Sequence, residues 1–158
     1  MASEGNKIVH KGIPTIGDAF VVIVKTEWNS EIVNELEAGA VRILDEQGVS
    51  HKTIVVPGAF EIPFIIKSYQ TTAAQKADAF IALGTVIRGD TPHFEYVCNA
   101  VTDGIVGLNL QLDVPVIFGI LTVNTKEQAI ERIGGIHGHK GEEAGITALK
   151  MMALLHSF

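Results

Sequence analysis

The chain has 158 residues, the length of one ordinary domain, which buries roughly 70 % of its extended surface and needs no disulfide or structural metal. Hydrophobic residues make up 47 % and charged residues only 19 %, against about 25 % in an average soluble domain. That balance excludes a disordered chain and points to apolar surface covered by subunit contacts, while the net charge of −6 argues against general nucleic-acid binding and the single cysteine against a disulfide framework.

Residues 1–17 carry no strong periodicity and read as an arm. Ala19–Lys25 is a continuous apolar, β-branched run, the pattern of a strand buried on both faces of a parallel sheet. A helical stripe of Ile32, Val33, Leu36, Ala40, Ile43 and Leu44 follows, with Asn29 as N-cap and Gly48 as the stop. Lys52–Val56 is a second strand, broken by Pro57-Gly58, and Pro63 suits the first turn of a helix reaching about Thr72. Asp78–Ile87 holds a third strand, and the turn Arg88–Pro92 leads into a long helix, Pro92–Gln111. Pro115–Thr122 is a fourth strand. Thr125 and Gln128 have capping-box spacing for a short helix ending at Gly134-Gly135, and a last helix runs from near Lys140 to about His156.

Strand and helix alternate, which predicts a single three-layer α/β domain: a four-stranded parallel sheet with helices on both faces and ligand loops at the carboxyl ends of the strands. The apolar runs, such as Val114–Val123, stop near ten residues where a membrane span needs about 20. Met1–Asn6 lacks the basic-then-apolar pattern of a secretory signal, so a cytoplasmic protein is expected.

Four loops are nominated by the strand-end rule. Arg88–His93 joins a strand to a helix N-terminus, where free backbone N–H groups favour an anion. His93 in the first turn can take and return protons near neutral pH, or it is a surface histidine behind a Thr91 cap. Glu61, after Gly58-Ala59-Phe60, either accepts hydrogen bonds from a substrate or favours its own helix dipole. Trp28, the only tryptophan, either stacks on a planar heterocycle or staples the helix start. Arg132 and Lys140 flank a glycine-rich stretch and can meet phosphate, but that stretch is no Walker motif. Neither G-x-G-x-x-G after the first strand nor G-x-S-x-G is present. His137 and His139 read as turn histidines, because two histidines with no clear carboxylate or cysteine partner make a weak metal site, and Cys98 reads as a small buried hydrophobe.

Val56–Pro63, the run Leu83–Gly89 continuing through Thr91 to Val97, Pro115–Gly119, Glu127-Gln128-Ala129 with Arg132, and Lys140-Gly141 hold their order and spacing from about residue 18 to 150. In these blocks the sequence resembles the lumazine synthase family, the 6,7-dimethyl-8-ribityllumazine synthases of riboflavin biosynthesis. The resemblance implies a flavodoxin-like fold and a transferase that condenses 5-amino-6-ribitylaminouracil with 3,4-dihydroxy-2-butanone 4-phosphate, releasing phosphate and water, with no cofactor and no metal. It also implies a homopentamer with sites between adjacent subunits, sometimes closed into a sixty-subunit shell. In the family the N-terminal arm often adds a strand to the neighbour's sheet, and residues 6–14 are the candidates here.

The resemblance assigns His93 as the catalytic acid/base. Trp28 matches the aromatic that stacks on the pyrimidine, followed by Asn29. Ala59, Phe60 and Glu61 match the loop holding the ribityl chain and ring, and Thr85, Val86 and Ile87 the strand end that hydrogen-bonds the uracil by backbone. Asp90 and Thr91 match the phosphate-side loop, Arg132 the arginine that pairs with phosphate, Phe118 an aromatic lent by the neighbouring subunit, and Lys140 a lysine near the same site. Three positions depart from the common pattern: Trp28 where Phe is frequent, Asp90 where a small neutral residue is frequent, and His139 where Asn is frequent. The larger indole motivates a second reading, a riboflavin-binding or shell-forming homologue with weak or no catalysis.

Overall fold

The computed structural model describes residues 16–158. A parallel sheet is built from β1 (Phe20–Thr26), β2 (Ser50–Val56), β3 (Ala79–Ile87) and β4 (Val116–Val123), in the order β2-β1-β3-β4. Five helices connect and follow them: α1 (Ser30–Glu46), α2 (Ile62–Thr72), α3 (His93–Gln111), α4 (Lys126–Ile130) and α5 (Lys140–Leu155). The expected three-layer α/β domain with a four-stranded parallel sheet is therefore what the chain forms. The arm strand expected at residues 6–14 lies outside the described residues.

Strand side chains alternate between faces, so the continuous apolar runs feed two cores. Val21 and Ile23 of β1, with Ile81 and Leu83 of β3, pack against Leu36 and Leu44 of α1 and Ile146, Leu149 and Met152 of α5. Val22, Val24, Phe80 and Ala82 point the other way, onto Ile62 and Ile66 of α2 and Val101, Ile105 and Leu108 of α3. Strands β2 and β4 form the sheet's edges.

Three local expectations are corrected and one element is added. Asn29 occupies the N-cap position of α1 in a left-handed conformation (φ 57°), and its side chain makes no capping bond. The long helix starts at His93, with Pro92 at the cap position and no side-chain cap, so Thr91 does not cap it. A single 3₁₀ turn, Ala59–Glu61, precedes α2. The short helix α4 ends at Ile130 rather than at the glycines, because Ile133–Gly135 and Gly138–His139 pair as a small antiparallel hairpin, β5 and β6. That hairpin depends on Gly134 and Gly138, whose φ values of 116° and 76° side-chain-bearing residues rarely adopt. At α4 the capping signal holds in part: Thr125 Oγ1 accepts from the Gln128 N–H at 3.3 Å, while Gln128 Oε1 reaches back to the N–H of Asn124 instead of Thr125.

Candidate active site

The sheet order reverses its winding between β1 and β3, and ligands of open α/β sheets bind in the crevice outside that switch point. A cleft of about 550 Å3 opens there. The loop after β1 supplies Trp28 and Asn29, and the segment after β2 supplies Ala59, Phe60 and Glu61. The end of β3 supplies Thr85, Val86 and Ile87, and the following loop and first turn of α3 supply Thr91 and His93. Ten of the residues singled out in the sequence thus share one cavity.

Trp28 and Phe60 are 73 % and 65 % exposed, so two large aromatic surfaces stand unpacked at the cleft. Trp28 does not staple the start of α1. Its position is set from behind, where Thr26 Oγ1 donates to the Trp28 carbonyl at 3.2 Å. Asn29 Nδ2 donates to the Thr85 carbonyl at 2.8 Å, tying the loop after β1 to β3. Thr85 is only 5 % exposed, yet its hydroxyl oxygen has no hydrogen-bond partner among the described residues. A buried hydroxyl left unsatisfied costs about 1–3 kcal/mol. On the opposite wall α3 starts without a side-chain cap, so its first N–H groups and dipole are open to an anion.

Arg88, beside this wall, is engaged elsewhere. It bonds Glu95 through Nη1 and Asn124 Oδ1 through Nε at 2.9 Å, and its guanidinium carbon lies 4.2 Å from the centre of the Phe94 ring. The Arg88 hydrogen bond holds the Glu95 carboxyl below the usual carboxylate range. Cys98, one turn further on, is half-buried rather than fully buried, and burial pushes its thiol up.

Phe118 and Lys140 line a different groove, of about 440 Å3, between the edge strand β4 and α5, and the two cavities have no residue in common. Phe118 is 42 % exposed there, and Lys140 Nζ pairs with Glu143 Oε1 at 2.6 Å. Asp90 and Arg132 line neither cavity. Arg132 donates from Nη1 to the Gln128 carbonyl at 2.7 Å, and its own carbonyl accepts from the Lys140 N–H at 2.8 Å, which ties it to the start of α5. The chain therefore brings ten candidates together and leaves Phe118, Lys140, Asp90 and Arg132 apart. Sequence reasoning missed Phe94 and Val97 as cleft walls. Val97 was accessible, since it follows His93 by one helical turn and shares its face.

A model of the 6,7-dimethyl-8-ribityllumazine synthase family matches residues 18–156. The chain is 47 % identical over 143 residues to the 6,7-dimethyl-8-ribityllumazine synthase of Parabacteroides distasonis, covering 89 % of this chain and 88 % of that protein. It is 48 % identical over 145 residues to the protein of that name from Cytophaga hutchinsonii, covering 89 % of each. For the Streptomyces coelicolor protein of the same name, identity is 42 % over 155 residues, covering 93 % of this chain and 94 % of that one. Over nearly its whole length, then, the chain belongs to the 6,7-dimethyl-8-ribityllumazine synthase family.

Proposed function

We propose that the chain catalyses the condensation of 5-amino-6-ribitylaminouracil with 3,4-dihydroxy-2-butanone 4-phosphate to 6,7-dimethyl-8-ribityllumazine, releasing phosphate and two waters in riboflavin biosynthesis. Family membership supports the reaction. The observation that carries the site is the switch-point cleft, which gathers two exposed aromatic rings, a carboxylate and a helix-start histidine.

Each part has a task. Trp28 and Phe60 sandwich or flank the planar pyrimidine. The backbone of Thr85, Val86 and Ile87 meets its polar edge, and Asn29 and Ala59 shape the floor. Glu61 accepts from the ribityl hydroxyls. Asp90, through its backbone N–H, and Thr91 meet the phosphate beside the open start of α3. Amine and ketone must lose water to join, and phosphate must leave, so His93 serves as the acid and base that moves those protons. Alignment supplies most of the remaining acceleration, because the reaction joins two molecules.

Phe118, Arg132 and Lys140 complete the site from an adjacent subunit of a homopentamer. Their separation from the cleft within one chain, and the exposed Phe118 on an edge strand, support that reading. The arrangement also accounts for the shortage of charge, since apolar surface is covered when subunits meet. The exposed indole suits riboflavin as a competing ligand of the same cleft. Among the described residues no helix is long and apolar enough to cross a membrane, and the cytoplasm is the proposed compartment.

The test is direct. Purified protein mixed with both substrates, without added metal, yields the yellow fluorescent product faster than the spontaneous condensation. A rate equal to the spontaneous one overturns the proposal. His93→Ala lowers the rate only modestly, because aligned substrates react partly on their own.

A further inference from the structure

We infer that Arg88, Asn124 and Gln128 form a positioning relay that holds the His93 end of α3 in register with the guanidinium of Arg132. The links are continuous. The Arg88 N–H donates to the Val123 carbonyl at 2.9 Å, anchoring the residue between the ends of β3 and β4. From there its side chain divides. Nη1 bonds Glu95 in the first turn of α3, while Nε donates to Asn124 Oδ1 at 2.9 Å. The Asn124 N–H donates to Gln128 Oε1 at 2.8 Å, and the Gln128 carbonyl accepts from Arg132 Nη1 at 2.7 Å.

Arg88 is a positioning residue and not a phosphate ligand. Two of its nitrogens are engaged by Glu95 and Asn124, and its plane rests against Phe94 at 4.2 Å. The Arg88–Glu95 pair is worth little as an ion pair, because the two side chains are 43 % and 48 % exposed and solvent screens them. What the pair fixes is geometry. A planar guanidinium fork bonds two partners at a set angle, which the single ammonium of lysine does not reproduce. Displacing a reacting group by 1 Å can cost on the order of a hundredfold in rate, so such a brace matters more than its binding energy indicates. Under the proposed function, on which the kinetic arm below rests, His93 serves its own subunit's cleft and Arg132 the neighbour's, so the relay joins adjacent sites of one ring.

The experiment uses Asn124, an exposed residue that lines neither cavity. Asn124→Leu removes the acceptor for Arg88, and Asn124→Asp keeps one. Hydrogen–deuterium exchange of the native assembly is followed over residues 88–96 and 124–132. Asn124→Leu speeds exchange severalfold in both segments, and Asn124→Asp leaves both near wild type. Loosening of only one segment, of neither, or equal loosening by Asp overturns the relay. Arg88→Lys, which keeps the charge and loses the fork, is the second variant and must loosen both segments as well. In the kinetic arm, Asn124→Leu raises KM for the four-carbon phosphate about fivefold, while Asn124→Asp stays within about twofold. A wild-type protein without condensation activity sinks the proposed function and leaves the exchange data to judge the relay alone.

Discussion

Asn29 and Thr85 are joined across the switch point by a 2.8 Å hydrogen bond from the Asn29 side-chain amide to the Thr85 carbonyl. The same asparagine holds a left-handed backbone (φ 57°), a conformation that asparagine and glycine tolerate best. The two demands separate by substitution. Asn29→Gly keeps the backbone and loses the bond, costing about 1 kcal/mol of unfolding free energy. Asn29→Ala loses both and costs about 1–2 kcal/mol more. Chemical denaturation checks the order. Equal costs for the two variants rule out the backbone contribution.

Thr85 has the opposite character, a side chain that costs stability. Its buried hydroxyl has no partner among the described residues. Thr85→Val keeps the shape and removes the unsatisfied oxygen, so the protein gains up to about 1 kcal/mol while KM for the ribitylaminouracil stays near wild type. Thr85→Ser keeps the oxygen and shows no such gain. Melting curves and KM, measured on the same preparations, read the two effects. A valine variant that loses stability in the absence of substrate shows that the hydroxyl is satisfied within the protein.

The layers of the fold were legible because burial on both faces leaves a plain mark, the unbroken apolar runs of β1 and β3. Cleft residues at strand ends were legible for a related reason, since parallel topology sends every such loop to one edge of the sheet. The Asn29 side chain was not legible. Capping chemistry is local and points to α1, whereas its partner Thr85 lies 56 residues away. The hairpin of Ile133–Gly135 and Gly138–His139 was hidden too, because glycines carry no hydrophobic period and the pairing turns on backbone angles alone. Phe118 was named from resemblance alone, Arg132 and Lys140 also from their place beside the glycine-rich stretch, and none of the three lines the cleft of its own chain.

Helices α1 and α5 approach so closely at Gly141 that an added Cβ falls 1.9 Å from the Leu36 carbonyl oxygen. At Gly39 the added Cβ meets a side chain instead, His139 Cε1 at 2.2 Å. Backbone cannot step aside as a ring can. Gly141→Ala therefore destabilises by about 3 kcal/mol or more, despite alanine's better helix propensity. Gly39→Ala costs about 1–3 kcal/mol, because the ring can shift. Denaturation midpoints decide between them, and a stabilising Gly141→Ala contradicts the packing described.

His139 caps α5, its Nδ1 accepting from the Glu142 N–H at 3.4 Å, which requires a neutral ring. Burial pushes its pKa below the ordinary 6.5. The Arg42 guanidinium on α1 acts the same way, and Glu142 and Glu35 oppose. The folded state thus binds the proton less readily than the unfolded chain. Stability from this group is complete above about pH 6.5 and falls as the pH drops through that value toward the folded pKa. His139→Asn, a cap that does not titrate, flattens the profile below about pH 6.5. Unfolding free energies across that window test it, and an unchanged slope in the variant assigns the dependence to another group.

The proposed sharing of sites between subunits makes a quantitative demand on mixed subunits. Gly89 lines the cleft, and a Cβ there meets nothing within 4 Å, so the fold admits a side chain and Gly89→Trp is expected to block the cleft. Arg132→Ala removes the phosphate partner. If each site takes its cleft from one subunit and Arg132 from the next, every homogeneous ring of either variant is inactive. Rings reassembled from an equal mixture pair an open cleft with an intact Arg132 at about a quarter of the interfaces. Activity near a quarter of wild type is expected after dissociation and reassembly, and none when the two variants are mixed without exchange. A reassembled mixture no more active than its components places cleft and arginine in the same subunit and excludes the shared site.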